Sequence, residues 1–254
     1  MDSASEKASF ERAQVSFFLN DRFGIKLGRV RNPFGFWDDY SLFRNLSALK
    51  TDPVSLGVAL RRADLGFVAF GDAPGVSYEV GVLQGQSTFT NRDANNFKDV
   101  VVKLGRGLGP LDLAANVYLH DVGRDSEPSN ALGLSYRYRA TYNLTLLGEF
   151  ISIENEDSDI STSGFYVQGN YDLSDYLMDG LRWNMFFEAY ESDLLEIDLE
   201  KGLDYRFAGT YFQASTGFLY AYDRNIDLGA KFLSGADEEG DPFFKVAVKI
   251  DAKF

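Results

Sequence analysis

Cysteine is absent from the 254-residue sequence, histidine occurs once, and proline only six times. Without thiols there is no disulfide framework and no thiolate metal site, and a lone His120 excludes a histidine-rich metal centre. No cofactor or bound metal is expected. Basic residues are in deficit: 25 Lys and Arg against 38 Asp and Glu leave a net charge of -13, which argues against nucleic acid as a partner. No apolar run approaches the roughly 18 residues of a membrane helix. That excludes a helical membrane protein but not one that crosses with strands. The mean hydropathy of -0.21 fits a soluble chain and a strand-built membrane chain equally, because only alternate residues of such strands meet lipid. Met1 to Lys7 lacks the apolar core of a signal peptide, so the sequence reads as a mature form or as starting inside a longer gene.

What is abundant is aromatic: 22 Phe and 14 Tyr, with 15% aromatic residues in all. Aromatic side chains suit pleated, half-buried surfaces. From Ala13 onward the dominant period is two. In Leu132-Gly133-Leu134-Ser135-Tyr136-Arg137-Tyr138-Arg139, one face carries Leu, Leu, Tyr and Tyr, and the other Gly, Ser, Arg and Arg. The stretches 111–120, 165–173 and 181–190 alternate in the same way. Such alternation over about nine residues, repeated along the chain, is the signature of barrel strands. Strand starts fall near Ala13, Phe23, Val54, Val76, Val100, Leu111, Leu132, Leu144, Phe165, Leu181, Phe207, Ile226 and Phe243. Val54 to Gly71 reads either as one long strand or as a hairpin turning at Arg62-Ala63-Asp64.

Tight turns such as Gly107-Leu108-Gly109-Pro110 alternate with longer acidic stretches such as 154–159, 191–201 and 237–241. The expectation is a single all-β domain over residues 1–254, with 1–10 a flexible N-terminal segment. Its form is an antiparallel transmembrane β-barrel of about 12–14 strands, with short periplasmic turns and longer acidic extracellular loops. Single-chain bacterial barrels have even strand numbers, so a count near thirteen leaves the parity open.

The last segment alternates Phe244, Val246, Val248, Ile250, Ala252 and Phe254 against Lys245, Ala247, Lys249, Asp251 and Lys253. It resembles the terminal strand of outer-membrane barrel proteins, whose final aromatic residue is read by the barrel-assembly machinery. That resemblance implies an assembly signal at Phe254. A second resemblance lies at Gly28-Arg29-Val30-Arg31-Asn32-Pro33-Phe34-Gly35. It is similar to the GR-x-x-x-P-F-G stretch of porins of the phosphate-selective O/P type, in which an upward strand leads into a long loop. Gly81 to Gly85 and Asp93 to Lys98 are similar to that family's next strand and loop. The resemblance implies a porin-like barrel of the Gram-negative outer membrane that apparently lacks the earliest strands.

Alternation gives a set of basic residues for the inner face: Lys26, Arg29, Arg31, Arg61, Lys103, Arg137, Arg139, Arg182, Lys231, Lys245, Lys249 and Lys253. Placing Lys26, Arg29 and Arg31 on one face requires a bulge near Gly28. Arg29, Arg31, Arg137 and Arg139 form the expected anion-holding cluster, since guanidinium forks bind carboxylate and phosphate at two points. The same charges also suit plain pairing across strands with inner acids such as Glu79, Asp112, Glu149 and Glu188. The aromatic stretch with Phe34, Phe36, Trp37, Asp38, Asp39 and Tyr40 reads either as an infolded constriction loop or as a rim segment against lipid or a neighbouring subunit. His120 and Ser135 on the inner face lack a serine-hydrolase motif, so polar wall residues are expected and no enzyme activity. Gly105-Arg106-Gly107-Leu108-Gly109 lacks the Gly-Lys-Ser/Thr ending of a phosphate loop and reads as a turn. The expected function is passive passage of small solutes or ions with weak anion preference; a plugged structural barrel that partners another protein is the alternative. The expected surroundings are outer-membrane lipid, with homo-oligomers possible.

Overall fold

In the computed structural model every described segment that alternates in sequence is extended, and each pairs with its neighbours along the chain. The structure describes residues 13–36, 63–84, 98–120, 129–155, 160–192, 209–223, 226–236 and 242–252. Thirteen strands result: β1 (Ala13–Asn20), β2 (Phe23–Arg31), β3 (Ala63–Ala73), β4 (Val76–Leu83), β5 (Asp99–Leu108), β6 (Leu111–His120), β7 (Ser129–Arg139), β8 (Leu144–Asn155), β9 (Ile160–Asp172), β10 (Leu181–Ser192), β11 (Gly209–Asp223), β12 (Ile226–Ala236) and β13 (Pro242–Ala252). All are antiparallel, in the order β1 to β13 without a crossover. This is the up-and-down topology of a transmembrane barrel wall.

Most connections alternate in length, the exceptions being the four residues 156–159 between β8 and β9 and the eight residues 173–180 between β9 and β10. Turns such as 74–75 and 109–110 close one end of the wall, with Gly75 (φ +80°) and Gly109 (φ +63°) supplying left-handed positions that other residues adopt at a cost. At β9–β10 the Asp172 carboxylate caps its turn by accepting from the Ser174 backbone N–H at 3.0 Å. The opposite ends of the strands lead into the longer connections.

Across β5 to β12 the two faces of the wall separate by burial. Leu104, Leu113, Leu132, Leu134, Phe150, Phe165, Phe187 and Phe218 stand exposed, whereas Lys103, Ala114, Ser135, Glu149, Tyr166, Glu188 and Leu219 are buried. Direct cross-strand partners share a face, so one register fixes both sides: Ala114, Ser135, Glu149, Tyr166, Glu188 and Gln213 follow one another across six strands. Exposed apolar residues outside and buried polar ones inside invert the usual globular arrangement. Such a surface is stable only against lipid.

Several boundaries differ from the expected ones. β3 is described from Ala63, and the expected start near Val54 lies outside the described residues. β9 begins at Ile160 rather than near Phe165, and β7 at Ser129 rather than near Leu132. In both, the added residues extend an existing cross-strand ladder, which continues wherever backbone partners remain, whatever the side chains. Phe254 lies outside the described residues. On β13 the stripe Phe244, Val246, Val248 and Ile250 is exposed, Val248 at 79%.

Facing gives a first prediction. Leu134→Arg, at a site 62% exposed to lipid, should destabilise the barrel by roughly 2–4 kcal/mol near mid-membrane. The half-exposed rim change Arg139→Gln should stay within about 0.5 kcal/mol of wild type. Urea titration of the protein folded into vesicles measures both. Equal sensitivity would mean that the two faces are not lipid and interior.

Candidate functional site

After Arg31 the chain leaves the sheet and turns inward. Asn32, Pro33, Phe34, Gly35 and Phe36 are all buried. The turn uses Gly35 at φ +73°, a left-handed position where an added Cβ would also collide with the Glu149 carboxylate. Once out of the ladder, these residues need other partners for their backbone groups. Three side chains from three strands supply them. Gly35 N–H donates to Asn116 Oδ1 at 3.1 Å, Phe36 N–H donates to Glu149 Oε1, and Lys103 Nζ donates to the Gly35 carbonyl at 2.6 Å. Lys103 Nζ also stands 4.9 Å from the Phe36 ring centroid. The Gly35–Phe36 dipeptide is therefore pinned to β5, β6 and β8 by an amide, a carboxylate and an ammonium group.

The two phenyl rings find separate seats. Phe34 joins a buried cluster of Val30, Val68, Leu83, Val101, Tyr118, Ala131 and Ile151. Its ring rests on Gly133, where a Cβ would stand 2.6 Å from Phe34 Cζ. Phe36 packs with Ala114, Leu147, Tyr166 and Phe186, the last two stacked at 5.9 Å. Beyond them, β9 to β11 present an amide-rich inner wall. Asn184 Nδ2 donates to Asn170 Oδ1 at 2.8 Å, and Gln213 Nε2 donates to Glu188 Oε2 at 2.7 Å.

The expected inner cations divide into groups. Lys26 faces inward, 3.4 Å from Glu79 and over the Phe70 ring. Lys103 and Lys231 are buried inside, Lys231 with its Nζ 5.7 Å from the Phe186 centroid. Arg137 Nε donates to Asp112 Oδ2 at 2.8 Å, and Arg139 lies 3.5 Å from the same oxygen. Arg182 stands opposite Asp172 in register. Lys245, exposed, stands opposite buried Leu233, and Lys249 opposite Gly229. Arg61, Trp37, Asp38, Asp39 and Tyr40 lie outside the described residues, as does Lys253.

Two of the basic residues are on the other face. No bulge interrupts β2 against β3: Gly28 meets Gly66, Arg29 meets Leu65, Val30 meets Asp64 and Arg31 meets Ala63. Val30 is fully buried in the interior cluster, so Arg29 and Arg31 share the face of exposed Leu27 and Leu65. Gly28 does have a positive φ of 115°, but for a different reason. A Cβ there would run into the backbone of Ala13 on β1, so the glycine serves close strand approach without reversing the faces. Arg29 and Arg31 also sit at the long-connection end of the wall, whereas Arg137 and Arg139 sit at the short-turn end. The expected four-arginine cluster does not form. His120 stands opposite Ser129, while Ser135 stands opposite Ala114 and accepts from Asn116 Nδ2 at 3.0 Å, so the register does not set His120 and Ser135 opposite each other.

The wall topology, two-faced burial and inward segment invite comparison with known proteins. No protein-family model matches the sequence, and no curated protein matches it. Solved structures do match. The outer membrane channel DcaP of Acinetobacter baumannii aligns with a TM-score of 0.61 and 15% identity, over 92% of this chain and 74% of that one. The anion-selective porin from Comamonas acidovorans aligns at 0.65 and 13%, over 95% and 77%. The trimer form of OmpT, an outer membrane protein of Vibrio cholerae, aligns at 0.58 and 9%, over 92% and 84%. The fold is that of the outer-membrane porins. Within that porin-type wall, sequence reasoning missed Asn116 and Gly133. The available signal was a break in alternation: Val100-Val101-Val102 and Phe150-Ile151 put apolar residues on both faces where something apolar lies inside.

The pinned pair Gly35–Phe36 makes a second prediction. Asn116→Ala and Glu149→Ala each strand a buried N–H, and each should cost about 1–3 kcal/mol. Because both hold one segment, the double variant should lose less than the sum of the two. Chemical unfolding of the single and double variants in vesicles measures this. Full additivity would mean that Gly35 and Phe36 are not held as a unit.

Proposed function

We propose that this chain is an outer-membrane, porin-like diffusion channel whose bore is narrowed by the inward segment Asn32–Phe36. The observation that carries the reading is the anchoring of Gly35 and Phe36 by Asn116, Glu149 and Lys103 across the interior of a porin-type wall. Such a segment sets the width of the path, and the wall sets its electrostatics. Four of the inner cations are engaged by oxygen partners: Lys26 has Glu79, Lys103 has the Gly35 carbonyl, and Arg137 and Arg139 share Asp112. Cations that are already engaged attract anions less than an open ring does. The channel therefore passes small solutes and ions with weak anion preference and carries out no chemistry. Stacking of several such barrels into a homo-oligomer is compatible with this role.

A second reading rests on the apolar cluster around Phe34, which fills the interior between β2 and β8. A barrel plugged there would serve as a scaffold without transport.

Conductance across a planar bilayer separates the two. The wild-type protein should form discrete channels. Phe34→Ala combined with Phe36→Ala should raise single-channel conductance severalfold, and Lys103→Met should raise open-channel noise by releasing the Gly35 carbonyl. Reversal potentials in a salt gradient should give a modest anion preference that falls in Arg137→Ser/Arg139→Ser. No conductance in the wild type, with channels appearing only in the double Phe variant, would establish the plugged reading.

A further inference from the structure

The outer wall carries a feature that the channel reading does not use. Two rows of residues run side by side across β5 to β9 on the lipid-facing side. One is Arg106, Leu113, Tyr136, Gly148 and Val167, and the other is Leu104, Ala115, Leu134, Phe150 and Phe165. Each row contains one small residue among large ones. Gly148 has no side chain, and the Tyr136 ring leans over it, with Cζ 2.7 Å from where a Cβ would stand. Ala115 sits between Leu104 and Leu134. The result is a trough of about 640 Å³ whose outward lining is apolar apart from Arg106 and the Tyr136 hydroxyl.

Arg106 stands at one end of the trough, two residues before β5 ends at Leu108 and the chain turns through Gly109 and Pro110. It is exposed, and no described carboxylate pairs with it. The nearby acid, Asp112, points inward and is engaged by Arg137 and Arg139. A single cation on the lipid face is costly in hydrocarbon and favourable only at headgroup level, where phosphate is at hand. The short turn puts it at that level. A charged end and an apolar trough leading towards the middle of the wall match the head and chain of one amphiphile.

We infer that this trough binds an anionic phospholipid from the leaflet at the short-turn end, its phosphate on Arg106 and one acyl chain over Ala115, alongside the Tyr136 ring. The charge decides against a second copy of the chain as occupant. The described outer face around the trough offers no acid with which another copy would meet Arg106.

Native mass spectrometry of the detergent-purified full chain tests this, with phosphatidylglycerol or phosphatidylethanolamine of matched acyl chains added. Wild type should retain one phosphatidylglycerol under conditions that strip phosphatidylethanolamine. Arg106→Gln should lower phosphatidylglycerol retention about fivefold, the ratio expected from one basic residue at a membrane surface, and leave phosphatidylethanolamine unchanged. Ala115→Phe, which fills the trough, should lower retention of both. Heat-modifiable gel mobility confirms that each variant is folded, and Ala115→Val replaces Ala115→Phe if the larger residue blocks assembly. Equal retention of the two lipids by wild type, or an unchanged ratio in Arg106→Gln, would overturn the inference. So would an Ala115 variant that alters oligomeric state while lipid retention stays intact, since the trough would then be an interface between copies.

Discussion

Everything in this protein follows from a rule about backbone polarity. In hydrocarbon there is no water to pair with an N–H or C=O, and each unpaired group costs several kcal/mol. The chain meets the rule with twelve consecutive antiparallel ladders, so the whole wall is one hydrogen-bonded sheet. Once the ladder is fixed, side chains have only two directions, and a slip of one residue would exchange them. Leu134 would point inside and Ser135 into lipid. Register and lipid exposure are therefore one constraint. The same rule bears on β1 and β13, which pair with one neighbour each among the described residues. An edge within a bilayer must meet further backbone, either the opposite edge or another strand.

The inward segment obeys the rule by other means. Residues 32–36 abandon the ladder within a buried space, and the Gly35 N–H and C=O and the Phe36 N–H turn to side chains. That explains why Asn116, Glu149 and Lys103, otherwise expensive to bury, sit at 2–6% exposure. It also bears on selectivity, because a lysine that holds a carbonyl and a glutamate that holds an N–H contribute less field to a passing ion. The charges in the interior are mostly structural, and solute discrimination falls to width and to the amide-rich wall on β9 to β11.

Much of this was legible in the sequence, for a physical reason: lipid on one side and a polar interior on the other force the period of two. Leu132 and Leu134 against Gly133 and Ser135 fixed the faces of β7 without any structure. Strand ends were less legible, because a ladder continues past the last patterned side chain, as β9 does back to Ile160. Gly28 was read as a bulge that turned Arg29 and Arg31 inward. A positive φ was indeed required there, but sequence does not say whether a glycine reverses a face or admits a neighbouring backbone. The seat of Phe34 on Gly133 was hidden because it joins residues 99 positions apart, and only Val101 and Ile151, apolar on the inner face, hinted at it.

The stretch Gly105-Arg106-Gly107 shows how one short sequence serves both faces. It is not a loop around phosphate but the end of β5, with both glycines facing inward and Arg106 outward. Gly105 leaves room for Ser77 Oγ, and Gly107 for the Asp112 carboxylate, 3.2 Å from where its Cβ would be. Removing side chains on the inner face lets Asp112 lie flat against the wall and meet Arg137 and Arg139. Those inner arginines leave Asp112 with its charge compensated inside the wall. Arg106, one residue away on the other face, is separated from that acid by the sheet and must find its anion outside. The interior ion pair and the bare cation on the lipid side are thus two results of a single alternation.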